Sequence, residues 1–143
     1  GIEVVTVSDK TGKVVAKDCS TTQATVELKN FQASSVDGVF FIGGPGALPC
    51  LDNQESNRIL NEAMITGMPY GAICISPRIL AKAHVLVGKK ATGWNGDGEL
   101  EQIFAENNVE YVAEGVVVDG NVVTADGPES AEEFGREIGG LIQ

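Results

Sequence analysis

The chain has 143 residues, of which 43% are hydrophobic, enough for one domain with a single core. Its formal net charge is −10 at pH 7, and its lysine and arginine residues are scattered along the sequence. We therefore expect neither nucleic acids nor anionic membrane surfaces as partners. No apolar run reaches the roughly 18 residues of a membrane span, and no leader-like segment opens the chain, so we expect a cytoplasmic protein.

The first third of the sequence predicts short strands separated by turns. Residues 2–7 are apolar and β-branched and precede a turn cluster at residues 8–12, so we expect a strand followed by a turn. Residues 14–16 and 24–28 are typical of further short strands. The run Val-Phe-Phe-Ile at residues 39–42 is apolar throughout, which indicates a strand buried on both faces.

Beyond these strands the pattern alternates helices with strands. Apolar periodicity and capping residues predict helices at residues 53–66, 77–83 and 99–106, and a last amphipathic helix that begins near Pro128. Short apolar runs predict strands at residues 70–74, 91–92 and 109–112, and an Asp-Gly-Asn turn predicts a hairpin that joins residues 116–118 to 122–124. This alternation predicts an α/β sandwich with a mainly parallel sheet.

The segment Gly-Ala-Ile-Cys-Ile-Ser-Pro at residues 71–77 places Cys74 between a predicted strand and a predicted helix. A tight strand-to-helix turn needs small residues near its apex, and Ala72 and Ser76 meet that requirement. Cys74 would then lie at the carboxyl end of a strand, where open α/β sheets place their sites, and at a helix amino end, where free N–H groups favour a thiolate. The alternative is an inert buried cysteine. We favour a reactive thiol, because Pro77 also suits the first turn of a helix.

A glycine-rich segment, Gly-Gly-Pro-Gly at residues 43–46, follows the strand predicted at residues 39–42. Glycines let backbone N–H groups approach a ligand closely, and the amides of Gly43 and Gly44, together with that of Ile75, could stabilise an oxyanion. The alternative is an ordinary turn. The segment lacks the spacing of a Walker or dinucleotide-binding motif, which argues against phosphate binding.

The remaining residues with reactive side chains give weaker signals. His84 lies ten residues beyond Cys74, near the far end of a predicted helix, so we interpret it as a helix C-terminal residue. Cys19 and Cys50 have no evident activating neighbour, and the three cysteines are too far apart for zinc spacing or a disulfide framework. We therefore expect free thiols, no metal and no cofactor. Trp94 lies in a glycine-rich loop, where it either lines a pocket or covers the core.

Three segments together resemble the ThiJ/PfpI superfamily: Gly-Gly-Pro-Gly after Val-Phe-Phe-Ile, the Ala-Ile-Cys-Ile-Ser-Pro stretch around Cys74, and Val-Val-Val-Asp-Gly-Asn before the last helix. The resemblance runs in order along the whole chain. It implies a flavodoxin-like three-layer α/β sandwich, with residues 1–143 forming a single domain, and usually a homodimer. It also implies that Cys74 is the nucleophile and that Gly44 and Ile75 supply the oxyanion amides.

The sequence departs from the family pattern in three places. PfpI-type peptidases have a histidine directly after the nucleophile, where this chain has Ile75, and the deglycase branch has a histidine at the position of Trp94. The family's first strand and helix, which carry a glutamate that shares a proton with the thiol, have no counterpart here. We therefore expect an N-terminally incomplete domain, or a separate polypeptide that supplies this unit. Ser76 and Asp97 are the candidates for the histidine's role and, with Trp94, the candidate pocket residues.

These observations leave three functions open for Cys74. The first is an enzyme of glyoxalase III or deglycase type, in which the thiolate adds to a small reactive carbonyl substrate. The second is a non-enzymatic redox sensor or chaperone, in which the thiol is oxidised to the sulfinate and a partner detects the change. The third is an amidase or peptidase, which would lack a proton donor for the leaving amine. The enzyme of the first class is favoured, because a sensor would not require the glycine-rich segment.

Overall fold

A computed structural model of the protein describes residues 1–142. Its strands, in chain order, are β1 (Val7–Ser8), β2 (Gly12–Val15), β3 (Thr21–Ala24), β4 (Val26–Glu27), β5 (Val39–Phe41), β6 (Tyr70–Ile73), β7 (Lys90–Ala91), β8 (Glu110–Tyr111), β9 (Val116–Asp119) and β10 (Val122–Ala125). Its helices are α1 (Ala47–Leu51), α2 (Gln54–Thr66), α3 (Pro77–Lys82), α4 (Leu100–Glu106) and α5 (Ala131–Ile142), with short 3-10 turns at Leu28–Asn30, Ala33–Ser35 and Pro128–Ser130.

The centre of the molecule is a four-stranded sheet in the spatial order β5, β6, β10, β9. The strands β5 and β10 run parallel to β6, and the hairpin partner β9 runs antiparallel to β10. All four residues of β6 are buried, as expected for a strand covered on both faces. Gly71 lies at the tightest point of this sheet, because a Cβ there would overlap the carbonyl oxygen of Val123. β6 and β10 therefore lie so close together at this point that only glycine fits at position 71.

Helices cover both faces of this sheet. On one face Tyr70 and Ala72 pack in a core cluster with Leu80 of α3 and Phe104 of α4. On the other face Ile73, Val123 and Ala125 pack against Phe134 of α5. This three-layer α/β arrangement with a mainly parallel central sheet confirms the predicted fold class. No helix among residues 1–142 is both long enough and apolar enough to cross a membrane.

The strand predicted at residues 2–7 is wrong for most of its length. Only Val7–Ser8 forms a strand, and it pairs with β4 in a parallel register. Backbone groups need hydrogen-bonding partners to form a strand, and residues 1–5 find none within the described part of the chain. Val4 is 79% exposed, which shows that an apolar β-branched sequence alone does not create a strand.

The other early strands have different bounds from those predicted, because each is short and set by its pairing partner. β2 pairs with β3 as an antiparallel hairpin, and the strand predicted at residues 24–28 divides between β3 and β4. α1 was not predicted. Among residues 1–142, β5 pairs with β6 alone, so its other edge has no strand neighbour. The absence of the family's first strand and helix stays a prediction.

His84 lies at the end of α3 remote from Cys74, in the position that sequence analysis gave it. Its φ of 62° is left-handed, a conformation in which a Cβ is unfavourable and glycine is the preferred residue after a helix. We expect His84→Gly to raise the free energy of unfolding by about 0.5–1 kcal/mol, or the melting temperature by about 2–4 °C. Thermal unfolding followed by circular dichroism measures this. His84→Ala keeps the Cβ and should show no gain; equal melting temperatures for the two variants would contradict the argument.

Candidate active site

Cys74 lies at a sharp turn between β6 and α3. Its φ of 64° is left-handed, and a non-glycine residue held in such a conformation costs about 1–3 kcal/mol. The turn is closed by a hydrogen bond of 3.3 Å from the Ser76 amide to the carbonyl oxygen of Ile73. The Cys74 amide also donates to the carbonyl oxygen of Ala125 in the neighbouring strand β10, at 3.0 Å. Cys74 is half-buried, and the hydrogen bond to the neighbouring strand β10 holds its backbone in this strained conformation.

The glycine-rich segment packs directly on this turn. A Cβ at Gly43 would lie 2.7 Å from the Cβ of Cys74 and 2.9 Å from the backbone nitrogen of Ile75, closer than real side chains come. The backbone amides of Gly44 and Ile75 donate to no acceptor among residues 1–142. Free backbone N–H groups are what an oxyanion site requires.

Ser76 helps to hold the glycine-rich segment in place. Its side chain is fully buried, and its hydroxyl donates to the carbonyl oxygen of Ile42 at 3.0 Å. Ile42 directly precedes Gly43, so this bond ties the segment to the turn at Cys74. The hydroxyl of Ser76 is thus engaged inside the structure, and Ser76 does not line the cavity described next.

A cavity of about 380 Å³ lies beside the turn, at the carboxyl ends of β7, β8 and β10. Its lining includes Trp94, Tyr111, Glu114 and Asp126. Cys74 does not line the cavity. Its backbone is in direct contact with a residue that does, because the Trp94 amide donates to the carbonyl oxygen of Cys74 at 2.7 Å. The cavity therefore lies next to the turn that carries Cys74, at strand carboxyl ends, where open α/β sheets place their sites.

Asp97 is held by Arg78, a residue that sequence analysis did not single out. The Asp97 carboxylate accepts hydrogen bonds from both terminal nitrogens of Arg78, at 2.9 and 2.7 Å. These bonds, with a further one from the backbone amide of Glu99, lower the pKa of Asp97 to about 2. A carboxylate with so low a pKa is a poor proton acceptor at neutral pH, so Asp97 does not suit the role of the histidine.

The other cysteines lie in different surroundings from that of Cys74. Cys50 is in α1, where burial and then the nearby carboxylate of Asp9 raise the pKa of its thiol, which makes it less reactive. Cys19 is exposed in the turn between β2 and β3. Within residues 1–142, no group of three or more histidine, cysteine, aspartate or glutamate side chains is arranged to hold a metal ion.

Comparison with known proteins relates this arrangement to a family. The chain is 27% identical over 143 residues to deglycase PfpI of Pyrococcus furiosus, a match covering all of this chain and 84% of that protein. It is 26% identical over 138 residues to glutathione-independent glyoxalase DJR-1.2 of Caenorhabditis elegans, covering 96% and 72% of the two chains. A ThiJ/PfpI domain protein of Brachyspira murdochii superposes with a TM-score of 0.87 at 25% identity, over 96% of this chain and 78% of that one. Since the model of the DJ-1/PfpI family matches residues 1–139, the chain belongs to this family.

Proposed function

We propose that the protein is a cofactor-independent enzyme in which Cys74 attacks small reactive carbonyl compounds, with 2-oxoaldehydes as the first substrate class. The observation that carries this proposal is the packing of Gly43 against the turn at Cys74, which brings together two segments whose amides at Gly44 and Ile75 donate to no acceptor among residues 1–142. The names of two relatives, a deglycase and a glutathione-independent glyoxalase, support the same chemistry.

The reaction begins when the thiolate of Cys74 forms a bond to the aldehyde carbon of the substrate. The carbonyl π bond breaks, and the charge that develops on oxygen is stabilised by the amides of Gly44 and Ile75. The oxyanion takes up a proton, and a base then removes the proton from the same carbon, so that the C–H electron pair forms a double bond to the ketone carbon and the ketone π pair moves onto its oxygen. That proton returns to the ketone carbon while the proton of the first hydroxyl passes to the second oxygen, which leaves the first carbon as a thioester carbonyl and the second as an alcohol. Water cleaves the thioester, which restores the thiol and releases a 2-hydroxy acid. The sum is one 2-oxoaldehyde plus one water giving one hydroxy acid.

The proton transfer needs a group that can accept and return a proton. Ser76 and Asp97 are each occupied, by the carbonyl oxygen of Ile42 and by Arg78. Glu114 and Asp126 line the cavity and are the candidate groups for this step. Of the two, Asp126 already accepts the Ser130 hydroxyl through one carboxylate oxygen, at 2.6 Å. Asp126 directly follows Ala125, the last residue of β10, whose carbonyl oxygen accepts the Cys74 amide, so it lies just beyond the carboxyl end of the strand next to the Cys74 turn.

The test is incubation of the purified chain with methylglyoxal, without any added cofactor. We expect the aldehyde to be consumed over many turnovers, with one lactate formed for each methylglyoxal lost. Consumption that stops at one equivalent and yields no lactate would mean that the thiol only forms an adduct. Either this result or a complete lack of consumption would overturn the proposal.

A redox sensor is a second candidate, favoured by one observation. Cys74 is half-buried, and the two segments that meet at its turn carry free amides at Gly44 and Ile75; a sulfinate anion at Cys74 needs hydrogen-bond donors of this kind. Treatment with a small excess of hydrogen peroxide, followed by peptide mass spectrometry, compares Cys74 with the exposed Cys19. Oxidation of Cys74 well ahead of Cys19, in a chain with no turnover of methylglyoxal, would favour the sensor over the enzyme.

The homodimer and the separate polypeptide expected from the family resemblance stay proposals of the same kind. Sedimentation velocity of the purified chain measures the first, and intact mass spectrometry of material isolated from its natural source measures the second. A monomer would remove the dimer, and a single polypeptide species would remove the second chain.

A further inference from the structure

We propose that Arg78 is a positioning residue for the site: it fixes residues 93–99, here called the Trp94 loop, against the turn at Cys74 and so sets the wall of the cavity. The proposal concerns how the site is held in shape. Its kinetic part rests on the proposed function, and its structural part does not.

The contacts of Arg78 reach the Trp94 loop at three points. Its two terminal nitrogens donate to the carboxylate of Asp97, and one of them also donates to the carbonyl oxygen of Trp94 at 3.1 Å. Its guanidinium carbon lies 5.4 Å from the centre of the Trp94 ring, within range of a cation–π interaction. Both ends of the loop and its aromatic ring are therefore tied to one side chain of α3.

The same loop is fastened to the turn at Cys74 from the other side. The Trp94 amide donates to the carbonyl oxygen of Cys74, and Gly93 packs against Pro77, where a Cβ would lie 3.1 Å from the proline ring. Since Pro77 and Arg78 are consecutive in α3, the helix holds the loop against the turn at Cys74 from two neighbouring positions. A shift of the loop would move the Trp94 wall of the cavity and the hydrogen bond to Cys74 together.

The burial of Arg78 supports a positioning role over simple packing. Its side chain is 5% exposed, against 33% for Asp97, and its Nε has no hydrogen-bond partner within residues 1–142. Removing a guanidinium from water is costly, and an apolar residue of similar size commonly gives equal or greater stability at such a place. What an apolar residue cannot supply is a planar fork that fixes a carboxylate and a carbonyl at once.

The test compares Asp97→Asn with Glu99→Gln as its matched control. Both acids lie near Arg78 at the same end of the loop, but Glu99 is 4.0 Å from it and 69% exposed, so its charge contributes little to holding Arg78. Trp94 is the only tryptophan, so acrylamide quenching of its fluorescence reports on this loop alone. We expect the quenching constant to rise about twofold to threefold in Asp97→Asn and to stay unchanged in Glu99→Gln.

The kinetic arm uses methylglyoxal turnover. For Asp97→Asn we expect KM to rise about threefold to tenfold with kcat changed less than about threefold, because the cavity wall loosens while Cys74 is intact. Arg78→Lys keeps the positive charge but loses the two parallel N–H donors of the guanidinium. Its quenching constant and its KM should therefore lie between those of wild type and Asp97→Asn. If Asp97→Asn does not fold, Arg78→Lys is the variant that decides the test.

The outcomes separate this proposal from the proposed function. If the quenching constant rises in Asp97→Asn and the wild-type chain shows no turnover of methylglyoxal, the positioning of the loop is supported and the proposed enzymatic function is rejected. Unchanged quenching in a folded Asp97→Asn or Arg78→Lys variant would overturn the proposal, whatever the turnover. If the quenching constant rises but KM does not change in a chain that turns over methylglyoxal, Arg78 orders the loop without shaping the cavity for the substrate. That result would also overturn the proposal.

Discussion

Replacing Cys74 with serine is expected to lower the turnover of methylglyoxal by about a thousandfold or more. Serine has nearly the same shape, so the strained turn with φ of 64° and the bond from its amide to Ala125 should survive. A serine hydroxyl is not ionised near neutral pH without an adjacent base, and the described residues place no histidine beside it. Loss of the nucleophile therefore removes the covalent step. The free amides alone give no rate gain, because the oxyanion that they stabilise forms only after attack by the thiolate.

Cys50→Ser and Cys19→Ser are the matched controls for this loss. The thiol of Cys50 has its pKa raised by burial and by Asp9, and Cys19 lies exposed in a turn, so neither belongs to the site. Both variants should keep turnover within about twofold of wild type. The measurement is initial-rate kinetics with circular dichroism spectra to verify folding. Equal rates in wild type and a folded Cys74→Ser variant would reject the nucleophile.

The turn at Cys74 could be predicted from the sequence because its requirements are local. Small residues on both sides of the apex, an apolar strand before it and a proline after it all lie within seven residues. The same holds for α2, predicted at residues 53–66 and found at Gln54–Thr66, where the side chain of Asn53 accepts the Ser56 amide as a cap. Features set by nearest neighbours in sequence are thus the ones that sequence analysis located.

The remaining features depend on pairs of residues far apart in the chain. Arg78 and Asp97 are nineteen positions apart, and their contact exists only because α3 and the Trp94 loop lie on the same edge of the sheet. Residues 2–7 have a strand-like composition, but strand formation depends on a pairing partner that composition does not reveal. The sequence shows Arg78 only as an arginine in the first turn of the helix predicted at residues 77–83, which identifies neither its burial nor its partner.

Gly43→Ala is expected to lower turnover about a hundredfold and to destabilise the fold by about 1–3 kcal/mol. Its Cβ would meet the Cβ of Cys74 and the carbonyl oxygen of Ile73, both at 2.7 Å, and these belong to a turn that neighbouring strands hold in place. The segment must therefore move away, which displaces the amide of Gly44 relative to the turn that carries Ile75. Turnover kinetics and denaturant unfolding of the same preparation measure the two effects.

Gly46→Ala is the matched control, because it adds the same methyl group to the same segment. No atom lies within 4 Å of a Cβ at Gly46, and its φ of −88° suits any residue, so its stability should change by less than about 0.5 kcal/mol. If Gly43→Ala loses stability but keeps turnover, the close packing serves the fold alone and the amides of the segment take no part in the reaction. Loss of turnover beyond what the unfolded fraction explains would instead tie the glycine to the chemistry. The comparison works because steric contact with the turn is what distinguishes the two positions.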